Sequence, residues 1–213
     1  MPSKTEALLL IANGCSHCPA MVEYLSQLVK QGKLGRLEIV NTSLRPEIAA
    51  SHDVRSVPWC RIGEFELAGV HSLSDLAEWV EHAAGNSGQA AYIAYLIEQH
   101  RLQEAIQRVR PSPSIMTELT PMLGDLSVPM AVRIGIGALI EELAGDPALE
   151  YAVSPLAQLT TSPDSQVRAD VCHYLGICGD PSSIPLIEGL LDDEDPEVCE
   201  IAAETLALFH EEN

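Results

Sequence analysis

Two cysteines separated by two residues, Cys15 and Cys18, are the residues of this chain whose spacing most clearly suggests chemistry. The apolar run at residues 7–12 favours a β-strand before them, and the residues from Cys18 onward favour a helix. At such a junction the unpaired amides of the helix, and the positive end of its dipole, point back at Cys15. They favour a thiolate, which is the form of cysteine that attacks disulfides. The spacing therefore predicts a redox-active dithiol, although zinc sites begin with the same C-x-x-C spacing.

The residues around this pair predict alternating strands and helices. Predicted strands cover residues 6–12, 36–41, 59–62 and 65–70, and predicted helices cover residues 18–31, 45–52 and 73–83. The first helix is indicated by apolar residues at helical spacing, namely Met21, Val22, Leu25, Leu28 and Val29. Ser72 or Ser74 is suited to cap the last helix. The βαβαββα order predicts an α/β domain over residues 1–85.

A second informative segment is Ser56-Val57-Pro58, which precedes a predicted strand, tight turn and strand. A proline at the start of a strand costs no ladder hydrogen bond. Together with the residues from Gly14 to Pro19, this segment resembles the thioredoxin superfamily, especially its minimal, glutaredoxin-like members. The resemblance covers residues 4–84. It implies that Pro58 is cis and packs against the dithiol, and that the backbone at Val57 is free to pair with the extended chain of a client protein.

The resemblance also implies a role for each residue of the site. Cys15, the more exposed thiol, attacks or leaves first, and Cys18 resolves the mixed disulfide. Pro58 shapes the docking surface and Val57 offers main-chain groups. Trp59, directly after Pro58, is a candidate for lining the client groove. No bound cofactor is implied, because a separate cellular reductant recharges the pair, and the chain has no nucleotide-binding signature that would make it its own reductase.

The residues between and before the cysteines depart from thioredoxin itself. Gly14 stands where thioredoxin has a Trp, and Ser16-His17 replaces its Gly-Pro, which leaves the reduction potential open. A histidinium at His17 would stabilise the Cys15 thiolate and make the pair more oxidising. The alternative is an exposed turn residue with a small effect. Cys15, His17 and Cys18 are also soft metal ligands, but no second ligand pair follows at a zinc spacing.

Beyond residues 85–89, which have the composition of a linker, the chain is predicted to be all-helical with an internal repeat. Two clear copies, residues 155–176 and 185–207, place Val167 and Val198 at the same position, and a looser copy spans residues 121–140. A first helix led by Pro, a turn with Asp and Pro, and a second helix opening with Val resemble HEAT repeats. Such helix pairs stack because neither buries its apolar stripe alone. Residues 90–110 are predicted to form a cap or a degenerate first repeat.

The negative charge is concentrated in this helical part. Residues 1–85 hold 7 Lys and Arg against 10 Asp and Glu, whereas residues 86–213 hold 5 against 21, which accounts for the net charge of −19. A chain so acidic repels phosphate backbones, so nucleic acid is excluded as a partner. The run Asp192-Asp193-Glu194-Asp195 is interpreted either as a solvated face or as a docking site for a basic protein or a divalent cation.

The four remaining cysteines have less specific predictions. Cys60 is expected in the core, with a third redox thiol as the alternative. Cys172 is expected at a small buried position of its repeat, and Cys178 in a turn. Either of these or Cys199 is an alternative resolving thiol, but buried packing is the default for cysteine.

These observations predict a thiol–disulfide oxidoreductase, a protein disulfide reductase, whose domain 1–85 carries the dithiol and whose domain 86–213 binds and selects a protein client. No signal peptide and no apolar stretch of membrane-spanning length is found, so a cytoplasmic location is expected, where a C-x-x-C is more often catalytic than structural. Two other classes stay open. One is a non-enzymatic interaction scaffold or assembly factor, and the other is a chaperone or metal-delivery factor.

Overall fold

The computed structural model of the protein describes residues 5–85 and 87–211, so Asn86 of the predicted linker lies outside the described residues. It divides the chain into two compact units with the boundary between Gly88 and Gln89. The domain ranges given by the sequence, 1–85 and 86–213, stay a prediction about where separately folding domains begin and end.

The N-terminal unit has four strands and three helices in the predicted order. The strands are β1 (Glu6–Ile11), β2 (Arg36–Asn41), β3 (Trp59–Ile62) and β4 (Phe65–Ala68), and the helices are α1 (Cys18–Lys30), α2 (Pro46–Ser51) and α3 (Leu73–Gly85). The sheet order is β2-β1-β3-β4. β1 pairs with β2 in parallel, whereas β3 is antiparallel to both of its neighbours. The prediction of an α/β fold is confirmed.

The core of this unit lies between the sheet and its helices. On α1 the buried side chains, Cys18, Met21, Leu25 and Leu28, recur at intervals of three and four residues, which is the spacing of one helix face. Each fully buried Leu or Met stabilises the fold by about 1.5–3 kcal/mol. The α1 face therefore holds Cys18, at its N-terminal end, firmly against the sheet.

Helix α3 begins with a reciprocal cap. The amide of Asp75 donates to Oγ of Ser72 over 3.2 Å, and the amide of Ser72 donates to Oδ2 of Asp75 over 3.0 Å. This exchange satisfies two amides that the first turn of a helix leaves unpaired. Of the two predicted capping residues, Ser72 is the one that caps.

The C-terminal unit is helical. Its helices are α4 (Gln89–Glu98), α5 (Leu102–Val109), α6 (Ile115–Leu119), α7 (Met130–Glu142), α8 (Glu150–Leu159), α9 (Ser165–Cys178), α10 (Ile184–Gly189) and α11 (Pro196–Glu211). Helices α7, α9 and α11 pack side by side as one layer, and α6, α8 and α10 precede them as the first helices of three pairs. Helices α4 and α5 pack against the first pair, which agrees with the predicted cap or degenerate repeat.

The start of one repeat differs from the prediction. Pro155 does not lead a helix but lies inside α8. Helices α8 and α10 are each preceded by an Asp-Pro turn, in which Oδ1 of Asp146 accepts from the amide of Ala148 over 3.0 Å and Oδ1 of Asp180 accepts from the amide of Ser182 over 2.8 Å. A proline at the first position of a turn needs no amide partner, and the aspartate satisfies the next amide. The prediction of a leading proline is therefore wrong for Pro155 and confirmed for Pro185, which lies in the first turn of α10.

The described residues contain no helix that is both long enough and apolar enough to cross a bilayer.

Candidate redox site

Cys15 and Cys18 are joined in a disulfide bond at the junction of β1 and α1. The chain leaves β1 through a turn in which the amide of Cys15 donates to the carbonyl oxygen of Ala12 over 3.3 Å. Gly14 occupies this turn with a φ of +74°, a conformation that is open to glycine and strained for other residues. The glycine that replaces the thioredoxin tryptophan is thus required by the path of the backbone.

The first amide of α1 points at the sulfur of Cys15. The amide nitrogen of Cys18 donates to Cys15 Sγ over 3.1 Å. Cys15 is half-buried, whereas Cys18 is only 3% exposed. A helix N-terminus stabilises negative charge, so this contact would stabilise a thiolate on Cys15 when the pair is reduced. Cys15, the more exposed cysteine of the pair, is therefore also the one whose sulfur faces the helix end.

The residues Val57 and Pro58 lie opposite the disulfide, and the peptide bond between them is cis. The carbonyl oxygen of Val57 lies 4.0 Å from Cys15 Sγ. The carbonyl oxygen of Pro58 accepts from the amide of Gly69 over 2.9 Å, which ties this segment to the end of β4. Within the described part of the chain, neither the amide nor the carbonyl of Val57 takes part in a backbone hydrogen bond. Val57 therefore has backbone groups available beside the Cys15 sulfur.

The other two residues expected in the site have different surroundings. His17 is exposed at the residue before α1, and its side chain makes no capping hydrogen bond. Trp59 is only 5% exposed, and its ring centroid lies 5.3 Å from that of His52. The electrostatic role of His17 and the client contact of Trp59 both stay predictions. The burial of Trp59 leaves it little surface for such a contact.

A polar network beside the disulfide was missed in the sequence. Nδ2 of Asn41 donates to Oδ1 of Asn13 over 2.9 Å, Oδ1 of Asn41 accepts from the amide of Ser43 over 3.0 Å, and Oγ of Ser43 accepts from the amide of Asn13 over 3.0 Å. The network joins the turn before Cys15 to the end of β2. A signal for it was present, because the carboxyl ends of parallel neighbours such as β1 and β2 lie at one edge of a sheet.

The cysteines outside the pair are poor nucleophiles where they are buried. Burial raises the pKa of the Cys60 thiol to about 12 and that of Cys172 to about 11. Cys178 is the last residue of α9 rather than part of a turn, and burial raises its pKa to about 12. The half-buried Cys199 donates its thiol to the carbonyl oxygen of Asp193 over 3.2 Å. The predicted core positions of Cys60 and Cys172 are confirmed.

The acidic run at residues 192–195 is built partly into the repeats. Asp193 forms a bidentate ion pair with Arg168, whose Nε and Nη2 each donate over 2.8 Å, and Nη1 of Arg168 donates to the carbonyl oxygen of Ser162 over 2.8 Å. Oδ1 of Asp195 accepts from the amide of Glu197 at the start of α11. These contacts lower the pKa of both carboxyls, in Asp193 mainly through Arg168 and in Asp195 mainly through Ser165. The interpretation of the whole run as a solvated face is wrong for Asp193.

Metal ligands are not clustered in the described residues, where no group of three or more His, Cys, Asp or Glu side chains is arranged to hold a metal ion.

Comparisons with known families agree with both units. Residues 7–81 match the profile of the thioredoxin domain, and residues 118–207 match the profile of HEAT repeats. No curated protein matches the chain. The first match covers the strands and helices that position Cys15 and Cys18, and the second covers α7, α8, α9 and α10 in full. The chain thus joins an N-terminal thioredoxin-like domain to C-terminal HEAT repeats.

Proposed function

We propose that this protein is a thiol–disulfide oxidoreductase that uses Cys15 and Cys18 on a protein client. The observation that carries the proposal is the 3.1 Å hydrogen bond from the Cys18 amide to Cys15 Sγ. It gives the accessible cysteine of the pair an electrostatic environment that favours its thiolate. A purely structural disulfide would have no need of such a contact.

In the reducing direction, the Cys15 thiolate attacks one sulfur of a client disulfide. A mixed disulfide between Cys15 and the client forms, and the other client sulfur leaves as a thiolate. Cys18 then loses its proton and attacks Cys15 Sγ, which forms the Cys15–Cys18 disulfide and releases the second client thiolate. The client has gained two electrons, and a separate reductant must return two electrons to the pair. The oxidising direction is the reverse of these steps.

The client's backbone would dock beside Cys15 at Val57. Its amide and carbonyl lie beside the reacting sulfur without backbone partners, as described above, and an extended chain pairs with such groups as an added strand. Pro58 holds this segment in place, because its carbonyl oxygen is already bonded to the amide of Gly69. Trp59 would support the segment from the interior rather than contact the client.

The HEAT repeats would supply client selection. A family of stacked helix pairs indicates protein interaction, and a tethered docking surface raises the effective concentration of a bound client near the dithiol. The cytoplasmic location and the separate reductant stay predictions from the sequence.

The test is the reduction of a model disulfide, with dithiothreitol as electron donor, by the full chain and its variants. Cys15→Ser should abolish the reaction, and reduced Cys18→Ser, mixed with the model disulfide after removal of dithiothreitol, should accumulate the mixed disulfide, which is visible as an added mass. Cys199→Ala, a thiol outside the pair, should keep the wild-type rate. An unchanged rate in Cys15→Ser would exclude the proposal, and a wild-type rate no higher than that of dithiothreitol alone would leave the alternative, a non-enzymatic scaffold, in its place.

A further inference from the structure

The outward side of the layer formed by α7, α9 and α11 combines acidic and apolar side chains and is not used by the redox chemistry. On α11, Glu197, Glu200 and Glu204 are all exposed, at intervals of three and four residues that place them along one side of the helix. On α7, Glu141 is exposed, and its Oε1 lies 3.7 Å from Nε2 of the exposed His173 on α9. The contact between Glu141 and His173 joins the outward sides of α7 and α9. The surface formed by Glu141, His173, Glu197, Glu200 and Glu204 is here called the outer face.

Among the described residues, neither arginine on these three helices forms an ion pair with Glu141, Glu197, Glu200 or Glu204. Arg168 on α9 is buried in its ion pair with Asp193, and Arg133 on α7 has its Nε buried. The described part of α11 contains no Lys or Arg. Within the described part of the chain, the basic side chain that lies against one of these glutamates is His173, beside Glu141.

Large apolar side chains are exposed on the same surface. Met130 and Ile134 are 66% and 64% exposed and lie one turn apart on α7, on the same side as Glu141. Leu208 is 57% exposed and lies one turn beyond Glu204 on α11. Scattered exposed apolar residues are ordinary, but these three lie on the same helices as the exposed glutamates.

We infer that the outer face binds a basic amphipathic segment of the client, with Lys or Arg side chains set against the glutamates and apolar side chains set against Met130, Ile134 and Leu208. The inference rests on the proposed function, in which the repeats select the client. Charge complementarity names the occupant, because an acidic segment would be repelled and a wholly apolar one would leave the glutamates buried without partners.

The test measures binding of a labelled synthetic helical peptide, with Lys on one side and Leu on the other, to the full-length protein by fluorescence anisotropy. The pair Glu200→Lys and Glu204→Lys should weaken binding about tenfold or more, and wild-type binding should weaken with added salt. The matched control is Glu118→Lys with Glu188→Lys, which changes charge equally on exposed residues of α6 and α10 and should alter binding less than about twofold.

The apolar contribution is tested separately with Met130→Ser and Ile134→Ser, whose control is Leu44→Ser, an equally exposed residue of the N-terminal unit. The first pair should weaken binding by about fivefold and the control should not change it. The inference is overturned if the peptide does not bind, if the control charge pair weakens binding as strongly, or if a sequence-scrambled peptide binds equally well.

The redox proposal is read out independently in the same variants through reduction of a small disulfide that needs no docking. Weakened peptide binding in these variants with this rate unchanged supports the outer face, whereas a wild-type protein that reduces the small disulfide but does not bind the peptide overturns the outer face alone. Peptide binding in a protein that reduces no disulfide contradicts the oxidoreductase and also the assignment of the peptide as a model of its client.

Discussion

The amide of Cys18 and the sulfur of Cys15 are hydrogen-bonded over 3.1 Å, although the two sulfurs are also bonded to each other. The amide belongs to the first residue of α1, whose buried face fixes it against the sheet. Its direction therefore does not depend on the oxidation state of the pair, and after reduction the same donor is in place for the Cys15 thiolate.

The first prediction concerns the reactivity of reduced Cys15. Its pKa should lie below that of a free cysteine, because the helix end stabilises the charged form. At pH 7 it should react with iodoacetamide at least about tenfold faster than Cys60 and Cys172, whose pKa values burial raises to about 12 and 11. Mass spectrometry of the alkylated peptides over a pH series measures each rate. Equal rates for Cys15 and the buried thiols would show that the helix end does not activate Cys15.

The second prediction concerns the polar network beside the disulfide. Asn41→Ala removes its hydrogen bonds to Asn13 and Ser43 and should cost about 0.5–1.5 kcal/mol of stability for each bond. It should also lower the rate of disulfide reduction several-fold, because the turn that carries Cys15 loses its tie to β2. Urea unfolding and the reduction assay measure the two effects. Glu38→Ala removes only an exposed ion pair with Arg36 on the same strand and should cost at most about 1 kcal/mol without changing the rate, so a drop in rate of the same size there would remove the special role of Asn41.

The fold of the N-terminal unit was predictable because its signals are local. The apolar spacing of α1 and the cysteine pair at its start are read directly from neighbouring residues, and the strand bounds agree to within two residues. The network of Asn13, Asn41 and Ser43 was not predicted, since it joins residues about 30 positions apart whose side chains meet only through the parallel pairing of β1 and β2.

In the acidic helical unit, by contrast, the local sequence was not enough to place the charged side chains. Composition alone could not separate Asp193, which is paired with Arg168 in the interior, from Glu197 and Glu204, which face outward. The distinction depends on which side of a helix or turn packs against the next repeat, and this is fixed by the stacking of the repeats rather than by the local sequence.

The third prediction concerns that ion pair. Arg168→Ala removes two hydrogen bonds from the Asp193 carboxyl, which keeps the amide of Asp195 as a donor, and should destabilise the C-terminal unit by about 1–3 kcal/mol. Arg110→Ala, which removes a more exposed ion pair with Asp146, should cost at most about 1 kcal/mol. Thermal unfolding followed by circular dichroism compares the two variants. Similar losses in both would mean that burial of the Arg168 pair contributes nothing.

The pair also predicts how stability depends on acid. Arg168 lowers the pKa of Asp193 in the folded protein, so the stabilisation is fully present above the unfolded pKa of about 3.9 and is lost as the pH falls through the lower folded value. Wild-type stability should therefore fall more steeply below about pH 4 than that of Arg168→Ala. Unfolding curves taken between neutral and acidic pH measure the difference, and parallel curves would contradict the assignment.

The last prediction concerns two glycines at which neighbouring helices of the layer α7, α9 and α11 approach each other closely. A Cβ atom at Gly137 would lie 2.0 Å from the hydroxyl oxygen of Tyr174, and one at Gly176 would lie 2.5 Å from Cγ2 of Thr205 on α11. Alanine at either position should cost about 1–3 kcal/mol, because the helices must move apart to admit the methyl group. Gly189→Ala is the matched control, since no atom lies within 4 Å of its Cβ position and its loss of unfolded-state freedom should stabilise the protein by about 0.4–1 kcal/mol. Urea unfolding of the three variants measures the free energies. We expect the free energy of unfolding to fall in Gly137→Ala and to rise in Gly189→Ala. An unchanged free energy of unfolding in Gly137→Ala would show that helices α7 and α9 are less tightly packed than their geometry indicates.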